Sequence, residues 1–169
     1  MDRKLLFLVN PISGTRTKEK LIAFITEKVT SAGLLFTIDY TNATGNYTLL
    51  KEKVIADRFT DIIIVGGDGS VNQVVQAFAT LRVRFGILPV GSGNGLARAA
   101  CIPTKIKSAL QVIIEGNTMP VDAFTINDAF SCMLSGLGFD AQVAHNFARK
   151  AKRGFFNYTK ESLLHFFKA

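Results

Sequence analysis

One stretch of the sequence decides the fold: DIIIVGGDGS, residues 61–70. Residues 61–65 are dominated by isoleucine and valine and have the length of a strand, and the glycine-rich half that follows is a turn. Apolar residues then recur at helical spacing from Val71 to Phe78. Such an apolar strand is buried on both faces, so strand, turn and helix in this order predict one unit of a parallel sheet covered by helices.

The same alternation extends in both directions along the chain. Further strands are predicted at residues 5–9, 35–40 and 85–89. Further helices are predicted from Leu21 to about Ala32 and over residues 46–58. Short apolar strands separated by amphipathic helices predict an α/β fold with a doubly wound, mostly parallel sheet.

The pattern changes near residue 118. Two strand-like stretches, residues 121–126 and 129–134, follow each other directly and are joined by Asn127-Asp128, which indicates an antiparallel hairpin. We therefore predict an α/β domain over residues 1–118 and the beginning of a β-rich domain over residues 119–169. Because about 50 residues are few for an independent core, the chain is predicted to be a fragment or to need a partner that completes it.

The glycine loop at residues 66–70 has the chemistry of a phosphate site. Glycines let the backbone approach a ligand closely, and the following helix N-terminus offers free N–H groups and a positive partial charge. Ser70 and Gln73 fit a capping box, which would fix the helix start. A carboxylate at Asp68 would repel phosphates unless a divalent cation lies between them or the carboxylate faces a hydroxyl group. The alternative is a plain tight turn with Asp68 exposed.

Two other loops should reach the same place. Val90–Gly95 (VGSGNG) follows the strand at 85–89, and Asn10–Gly14 (NPISG) follows the first strand. In a parallel sheet these turns all lie at the carboxyl edge, where ligands bind. Neither glycine-rich loop has the spacing of a P-loop or of the dinucleotide fingerprint.

Composition and charge exclude several classes of protein. The net charge is +7, but residues 146–169 hold six basic residues against one acid, a net +5, so residues 1–145 carry only +2.

Two isolated cysteines and two isolated histidines exclude zinc modules and disulfide scaffolds, and both thiols are predicted to be buried. No apolar run approaches the ~20 residues of a membrane span, and no signal peptide is recognisable. A cytoplasmic protein is predicted.

The basic, phenylalanine-rich tail allows two interpretations. The cluster at 149–153 precedes apolar residues on one predicted helical face. Such a helix can rest on an anionic bilayer, which would give a peripheral membrane contact. It can equally belong to the core of the second domain, and apolar helical stripes are usually core.

Four motifs follow one another along the chain: NPISG at 10–14, GGDGSVN at 66–72, PVGSGN at 89–94 with LAR at 96–98, and GFDA at 138–141. In this order they resemble the motifs of the diacylglycerol kinase catalytic-domain family. The family includes bacterial lipid kinases and sphingosine kinases and is related to NAD kinases and phosphofructokinases. The resemblance implies transfer of the γ-phosphate of ATP to a lipid hydroxyl, with ATP and Mg²⁺ as cofactors and a lipid as substrate.

The resemblance also implies which residues contact ATP. They are Asn10, Pro11, Ile12, Ser13, Gly14, Thr41, Gly66, Gly67, Asp68, Gly69, Ser70, Val71, Asn72, Ser92 and Asn94. Asp68 is expected to act in catalysis near the magnesium of Mg-ATP, and Gly45 completes the family's T-x-x-x-G spacing after Thr41. Arg16 could reach phosphate or be a solvated cation of the loop. The general base of the family would lie beyond Ala169.

Some residues depart from the bacterial pattern and leave alternatives open. Gln73 and Gly95 stand where bacterial diacylglycerol kinases often carry Glu and Asp, so the substrate is either diacylglycerol or a sphingoid-type lipid. An NAD kinase-like enzyme and a non-catalytic nucleotide-binding regulatory module are the alternatives. Specific nucleic-acid binding is not expected, because residues 1–145 show no basic surface interleaved with aromatics. The sequence leaves the oligomeric state open.

Overall fold

The computed structural model of the chain describes residues 3–14, 17–133, 135, 136 and 141. Within them a parallel sheet carries helices on both faces. The strands are β1 (Lys4–Val9), β2 (Leu35–Tyr40), β3 (Asp61–Gly66) and β4 (Arg84–Pro89), and a short hairpin follows as β5 (Phe124–Ile126) and β6 (Ala129–Ser131). The helices are α1 (Lys18–Ser31), α2 (Thr48–Ala56), α3 (Asp68–Phe78), α4 (Gly95–Ala99) and α5 (Ile106–Glu115).

The strand order in the main sheet is β2-β1-β3-β4, and all pairs are parallel. Val9, at the end of β1, is level with Tyr40 on one side and Val65 on the other. The strands therefore end together, and the loops that follow them share one edge of the sheet. This confirms the predicted α/β fold with a parallel sheet.

The two faces of the sheet build two apolar clusters. Leu6 and Leu8 pack with Phe78 on the face covered by α2 and α3. Phe7, which points to the opposite face, packs with Ile25 and Leu110 under α1 and α5. Since β1 and β3 are buried on both sides, they hold the carboxyl edge in a fixed position from which the loops project.

A buried carboxylate joins the elements at the opposite, amino edge. Asp61 accepts hydrogen bonds from Arg3 at 3.0 Å and from Arg84 and Thr60 at 2.8 and 2.6 Å. Arg3 also donates to the carbonyls of Ile113 and Ile114, near the end of α5. Burial opposes ionisation of Asp61, but the bonds from Arg3, Thr60 and Arg84 outweigh it and hold the pKa of the carboxyl below its ordinary value.

The hairpin confirms the predicted change from parallel to antiparallel pairing, with Phe124 opposite Ser131. The chain divides into two compact units after Met133, and the hairpin belongs to the first. The domain division at about residue 118 stays a prediction. Among the described residues, no helix is long and apolar enough to cross a membrane.

Two local predictions need correction. Helix α2 is shorter than residues 46–58, because Asn46 accepts a hydrogen bond from the backbone of Thr48 at 3.1 Å and forms a turn before the helix. Cys132 is buried as predicted, but Cys101 is exposed. Cys101 has a left-handed backbone (φ 55°) in the turn that ends α4, where its N–H bonds to the carbonyl of Arg98.

Candidate functional site

The loops after β1, β2, β3 and β4 are tied together by backbone hydrogen bonds at the carboxyl edge. The N–H of Asn10 donates to the carbonyl of Val65 at 3.0 Å, and the N–H of Thr41 donates to that of Val9 at 3.0 Å. The N–H of Val90 donates to the carbonyl of Gly66 at 3.1 Å. The sheet ladder thus continues into the loops, which confirms that they converge.

Asn10 braces the first loop against α3. Its side-chain Nδ2 donates to Ser70 Oγ at 2.7 Å, and its Oδ1 accepts from the N–H of Ile12 at 3.0 Å. The second bond makes an Asx turn, which turns the chain back on itself. Pro11 and Ile12 are consequently held out at the surface, with Ile12 85% exposed.

The glycines of these loops are needed for close backbone approach. A Cβ on Gly91 would lie 2.5 Å from Cα of Gly67, and one on Gly66 would lie 2.7 Å from Cβ of Ser70. Gly14 has φ +71°, and a Cβ there would lie 2.9 Å from the carbonyl oxygen of Val90. Larger residues would push the loops apart. The glycines therefore allow the three loops to form one continuous surface of backbone.

Asp68 lies between the two glycine-rich loops. It is the first residue of α3, follows the N-cap Gly67, and is half-buried. Its Oδ1 accepts from the N–H of Leu96 at 3.3 Å, and its Oδ2 faces Gly93, where a Cβ would lie 3.0 Å away. A negative charge at this position stabilises the helix N-terminus. Asp68 thus places a carboxylate where the two glycine-rich loops meet.

The predicted capping box of Ser70 and Gln73 is wrong. The N-cap is Gly67, which makes no side-chain cap hydrogen bond, and α3 begins two residues before Ser70. Ser70 is buried and its hydroxyl accepts from Asn10. The N–H groups at the start of α3 thus have no side-chain cap, which leaves them open to a ligand at the carboxyl edge.

Asn94 and Asn72 have structural partners. Asn94 is 8% exposed and left-handed (φ 54°), and its amide bonds to both the N–H and the carbonyl of Gly91, at 3.0 and 2.8 Å. Asn72 Oδ1 accepts from the N–H of Cys132 at 3.1 Å and ties α3 to the end of the hairpin. Ser92 is exposed at the tip of its loop. Contact of any of these residues with ATP stays a prediction.

The loop after β2 approaches α3 through two residues that the sequence did not single out for this. Tyr47 is buried and its hydroxyl donates to Gln73 Oε1 at 3.2 Å. Burial raises the pKa of Tyr47, against a smaller lowering effect from the backbone of Asn42. Gln73 Nε2 lies against Gly45, at 3.0 Å from where a Cβ would be. A pocket of about 440 Å³ opens between this loop and α3, and Thr41, at the start of the loop, is buried.

Several predicted features lie outside the described residues. They are Arg16, most of the motif at 138–141, and the basic tail from residue 146 onward. Among the residues that the structure does describe, no group of three or more His, Cys, Asp or Glu side chains could hold a metal ion.

The fold and this edge define a class: an α/β domain whose glycine-rich loops and uncapped helix N-terminus lie together at the carboxyl ends of its strands, where domains of this architecture bind their ligands. The model of the diacylglycerol kinase catalytic domain matches residues 4–126. The chain belongs to the diacylglycerol kinase catalytic-domain family, which confirms the resemblance drawn from its motifs.

Named relatives agree with this membership. The chain is 29% identical to a diacylglycerol kinase of Staphylococcus carnosus (strain TM300) and 31% identical to one of Staphylococcus aureus (strain JH9), in each case over 90% of this chain. It spans about half of their length, 50% and 49% respectively. A crystal structure of a diacylglycerol kinase from Bacillus anthracis str. Sterne matches 76% of this chain and 45% of its own, with a TM-score of 0.65 and 27% identity.

Proposed function

We propose that the protein containing this chain phosphorylates a lipid hydroxyl with ATP, by in-line transfer of the γ-phosphate. The observation that carries the proposal is the contact of Gly67 with Gly91, which brings two glycine loops and the start of α3 around Asp68. Phosphoryl transfer depends on positioning and on neutralising charge, and preorganised backbone N–H groups supply both.

Each loop has a distinct task in this proposal. The N–H groups at the start of α3 and those of Ser92 and Gly93 bind the phosphate oxygens. Asn10 and Asn94 position the two loops, Asn10 through its bond to the Ser70 hydroxyl and Asn94 by accepting the N–H of Gly91. The loop that follows Thr41 lines the pocket beside Tyr47 through Thr44 and Gly45, and the nucleoside would extend into this pocket. The acceptor hydroxyl then approaches the γ-phosphate from the open side of the edge. The base that takes its proton is expected beyond Ala169.

The carboxylate of Asp68 suits a magnesium ion that arrives with ATP better than a magnesium ion that the protein binds permanently. Mg²⁺ commonly takes one or two carboxylates together with substrate phosphates and water. Asp68 is the carboxylate between the loops, and no larger ligand cluster occurs within the described ranges. Asp68 would hold the metal, which when bound neutralises phosphate charge.

The substrate is proposed to be diacylglycerol or a sphingoid-type lipid. The names of the Staphylococcus relatives favour diacylglycerol. A peripheral membrane contact would follow from such a substrate. The glycine-aspartate loop is shared with NAD kinases, so NAD belongs among the acceptors tested.

The test is incubation of the complete protein with labelled ATP and magnesium and, separately, with diacylglycerol, a sphingoid base, monoacylglycerol and NAD. We expect label in a lipid. Labelling of NAD alone would replace the lipid kinase with an NAD kinase. Binding of Mg-ATP without transfer to any acceptor would indicate a non-catalytic nucleotide-binding module.

A further inference from the structure

The hairpin of β5 and β6 is attached to the helices of the main sheet at the end where the chain leaves it. Strand β5 is exposed along its length, whereas Cys132, directly after β6, is buried in the apolar cluster under α2 and α3. Phe130 and Met133 pack against the same cluster. The segment after β6 is therefore held in place while much of the hairpin remains exposed.

Asn72, in α3, makes the polar part of this attachment. Its Oδ1 accepts a hydrogen bond from the N–H of Cys132 at 3.1 Å, and the thiol of Cys132 lies 3.6 Å from the same oxygen as a second, weak donor. Because a backbone N–H can only donate, the oxygen of the Asn72 amide must face Cys132. The bond thus fixes which way the amide is turned, and its oxygen is directed at the hairpin.

Ser131 fixes the direction in which the chain continues from Cys132. Its Oγ accepts from the N–H of Met133 at 3.1 Å, which makes a side-chain turn around Cys132. The N–H groups of two successive residues are thus both bonded to side chains, one of which belongs to α3. The chain consequently leaves the first compact unit, which ends at Met133, at a defined place.

This place is tied to the helix that carries Asp68. Asp68 and Asn72 are four residues apart in α3, so they share one face of the helix and are separated by about 6 Å along its axis. The first turn of α3 bonds to the loop after β4, through Asp68 and the N–H of Leu96, and its second turn bonds to Cys132. One rigid helix therefore sets the distance between the carboxylate of the proposed phosphate site and the point where the remaining chain begins.

We propose that Asn72 is a positioning residue for the acceptor side of phosphoryl transfer. The inference rests on the proposed function, in which the base that takes the proton of the lipid hydroxyl belongs to the part of the protein that follows the hairpin. By holding Cys132 on α3, Asn72 anchors that part to the helix of Asp68 and keeps the acceptor hydroxyl in line with the γ-phosphate. This task differs from the ATP contact that the family resemblance implies for Asn72.

The test compares the wild type with Asn72→Ala and Asn72→Asp in the complete protein. Calorimetry measures the affinity for Mg-ATP, and labelled ATP measures both transfer to the lipid and the side reaction in which water takes the phosphate. We expect Asn72→Ala to lower kcat/KM for the lipid about tenfold or more, because small displacements of reacting groups are costly. The ratio of hydrolysis to transfer should rise, and the affinity for Mg-ATP should be unchanged.

Further variants separate positioning from stability. Asn72→Asp keeps an oxygen for the N–H of Cys132 and should restore most of the transfer, whereas Asn72→Ser withdraws the oxygen and is the second loss variant if Asn72→Ala does not fold. Asn117→Ala removes an exposed amide, bonded to Glu115 at 3.4 Å, and is the matched control that should change nothing. Hydrogen exchange over residues 129–133, which needs no activity, should be faster in the loss variants than in the wild type and the control.

The outcomes that would overturn the inference are distinct from one another. Weaker Mg-ATP binding in Asn72→Ala, with normal transfer at saturating ATP, would make Asn72 an ATP contact. An equal fall in transfer and hydrolysis would indicate a merely destabilised protein, and a loss in Asn72→Asp as large as in Asn72→Ala would exclude the bond to Cys132 as the cause. A wild type that labels no lipid would refute the proposed function itself, and this inference with it, before any variant is compared.

Discussion

The side chain of Asn10 donates a 2.7 Å hydrogen bond to the hydroxyl of Ser70, across 60 residues of sequence. It connects the end of β1 to the first turn of α3. Because Ser70 is buried, neither group can exchange this partner freely for water. The bond therefore fixes the loop after β1 relative to the helix N-terminus, which is the relationship that the proposed phosphate site requires.

Replacing Ser70 with Ala should destabilise the protein. The change leaves the Asn10 amide without its partner, at a cost of about 1–3 kcal/mol in the free energy of unfolding. Denaturant unfolding measures this. Ser92→Ala, at an exposed loop tip, is the matched control and should have little effect. In a double-mutant cycle with Asn10→Ala, independent and additive losses would contradict a coupling between the two side chains.

Gly91→Ala should disrupt the loops and nucleotide binding together. Its Cβ would lie 2.5 Å from Cα of Gly67, a distance that requires one backbone to move. We expect the stabilisation by Mg-ATP in a thermal shift assay to be lost. Gly33→Ala is the matched control: its φ of +70° makes alanine strained, but it lies in the turn between α1 and β2, away from the glycine loops, so the variant should keep its Mg-ATP shift. A full Mg-ATP shift in the Gly91 variant would argue against loop contact as a requirement.

Asp68→Asn should lower turnover of the complete protein by roughly 100-fold or more, if its charge balances metal and phosphate in the transition state. The substitution keeps the shape of the side chain and its hydrogen bond from Leu96, so the fold should survive. Phosphate incorporation into lipid is the measurement. Asp57→Asn removes an equal charge from an exposed position and is expected to be near neutral. Normal turnover in the Asp68 variant would remove this residue from the mechanism.

The sequence predicted the strands, the shared carboxyl edge and the glycine loops, because each depends on a local pattern or on the general geometry of parallel sheets. It missed the long-range side-chain contacts at both edges of the sheet, including those that position the loops. The pairs Asn10 with Ser70, Tyr47 with Gln73 and Arg3 with Asp61 are 60, 26 and 58 residues apart. The capping box failed for the same reason, since a tertiary partner outcompetes the local role of Ser70. No local pattern records which distant side chain a polar residue meets.

The buried carboxyl of Asp61, at the amino edge of the sheet, should make the free energy of unfolding depend on pH in the acid range. The folded protein holds the pKa of Asp61 below its ordinary value of 3.8, because Arg3, Thr60 and Arg84 outweigh the effect of burial. The contribution of Asp61 to the free energy of unfolding is fully present above the pKa that its carboxyl has in the unfolded chain. It is lost as the pH falls through the lower pKa of the same carboxyl in the folded protein. The wild type should therefore lose more free energy of unfolding than Asp61→Asn when the pH is lowered from neutral to the acid range. Parallel pH profiles of the two proteins would show that Asp61 is not the linked group.

Tyr47→Phe tests the loop after β2 without changing its packing. The ring of Tyr47 lies 5.4 Å from that of Phe78 and stays buried in the variant, so only the bond to Gln73 is lost. We expect a loss of about 0.5–1.5 kcal/mol in the free energy of unfolding. If the pocket beside Tyr47 holds the nucleoside, the same variant should raise KM for ATP while leaving kcat unchanged, because the contact is made equally before and during transfer. A fall in kcat at constant KM would instead place Tyr47 in the positioning of the reacting phosphate, and the pocket would no longer be the nucleoside site.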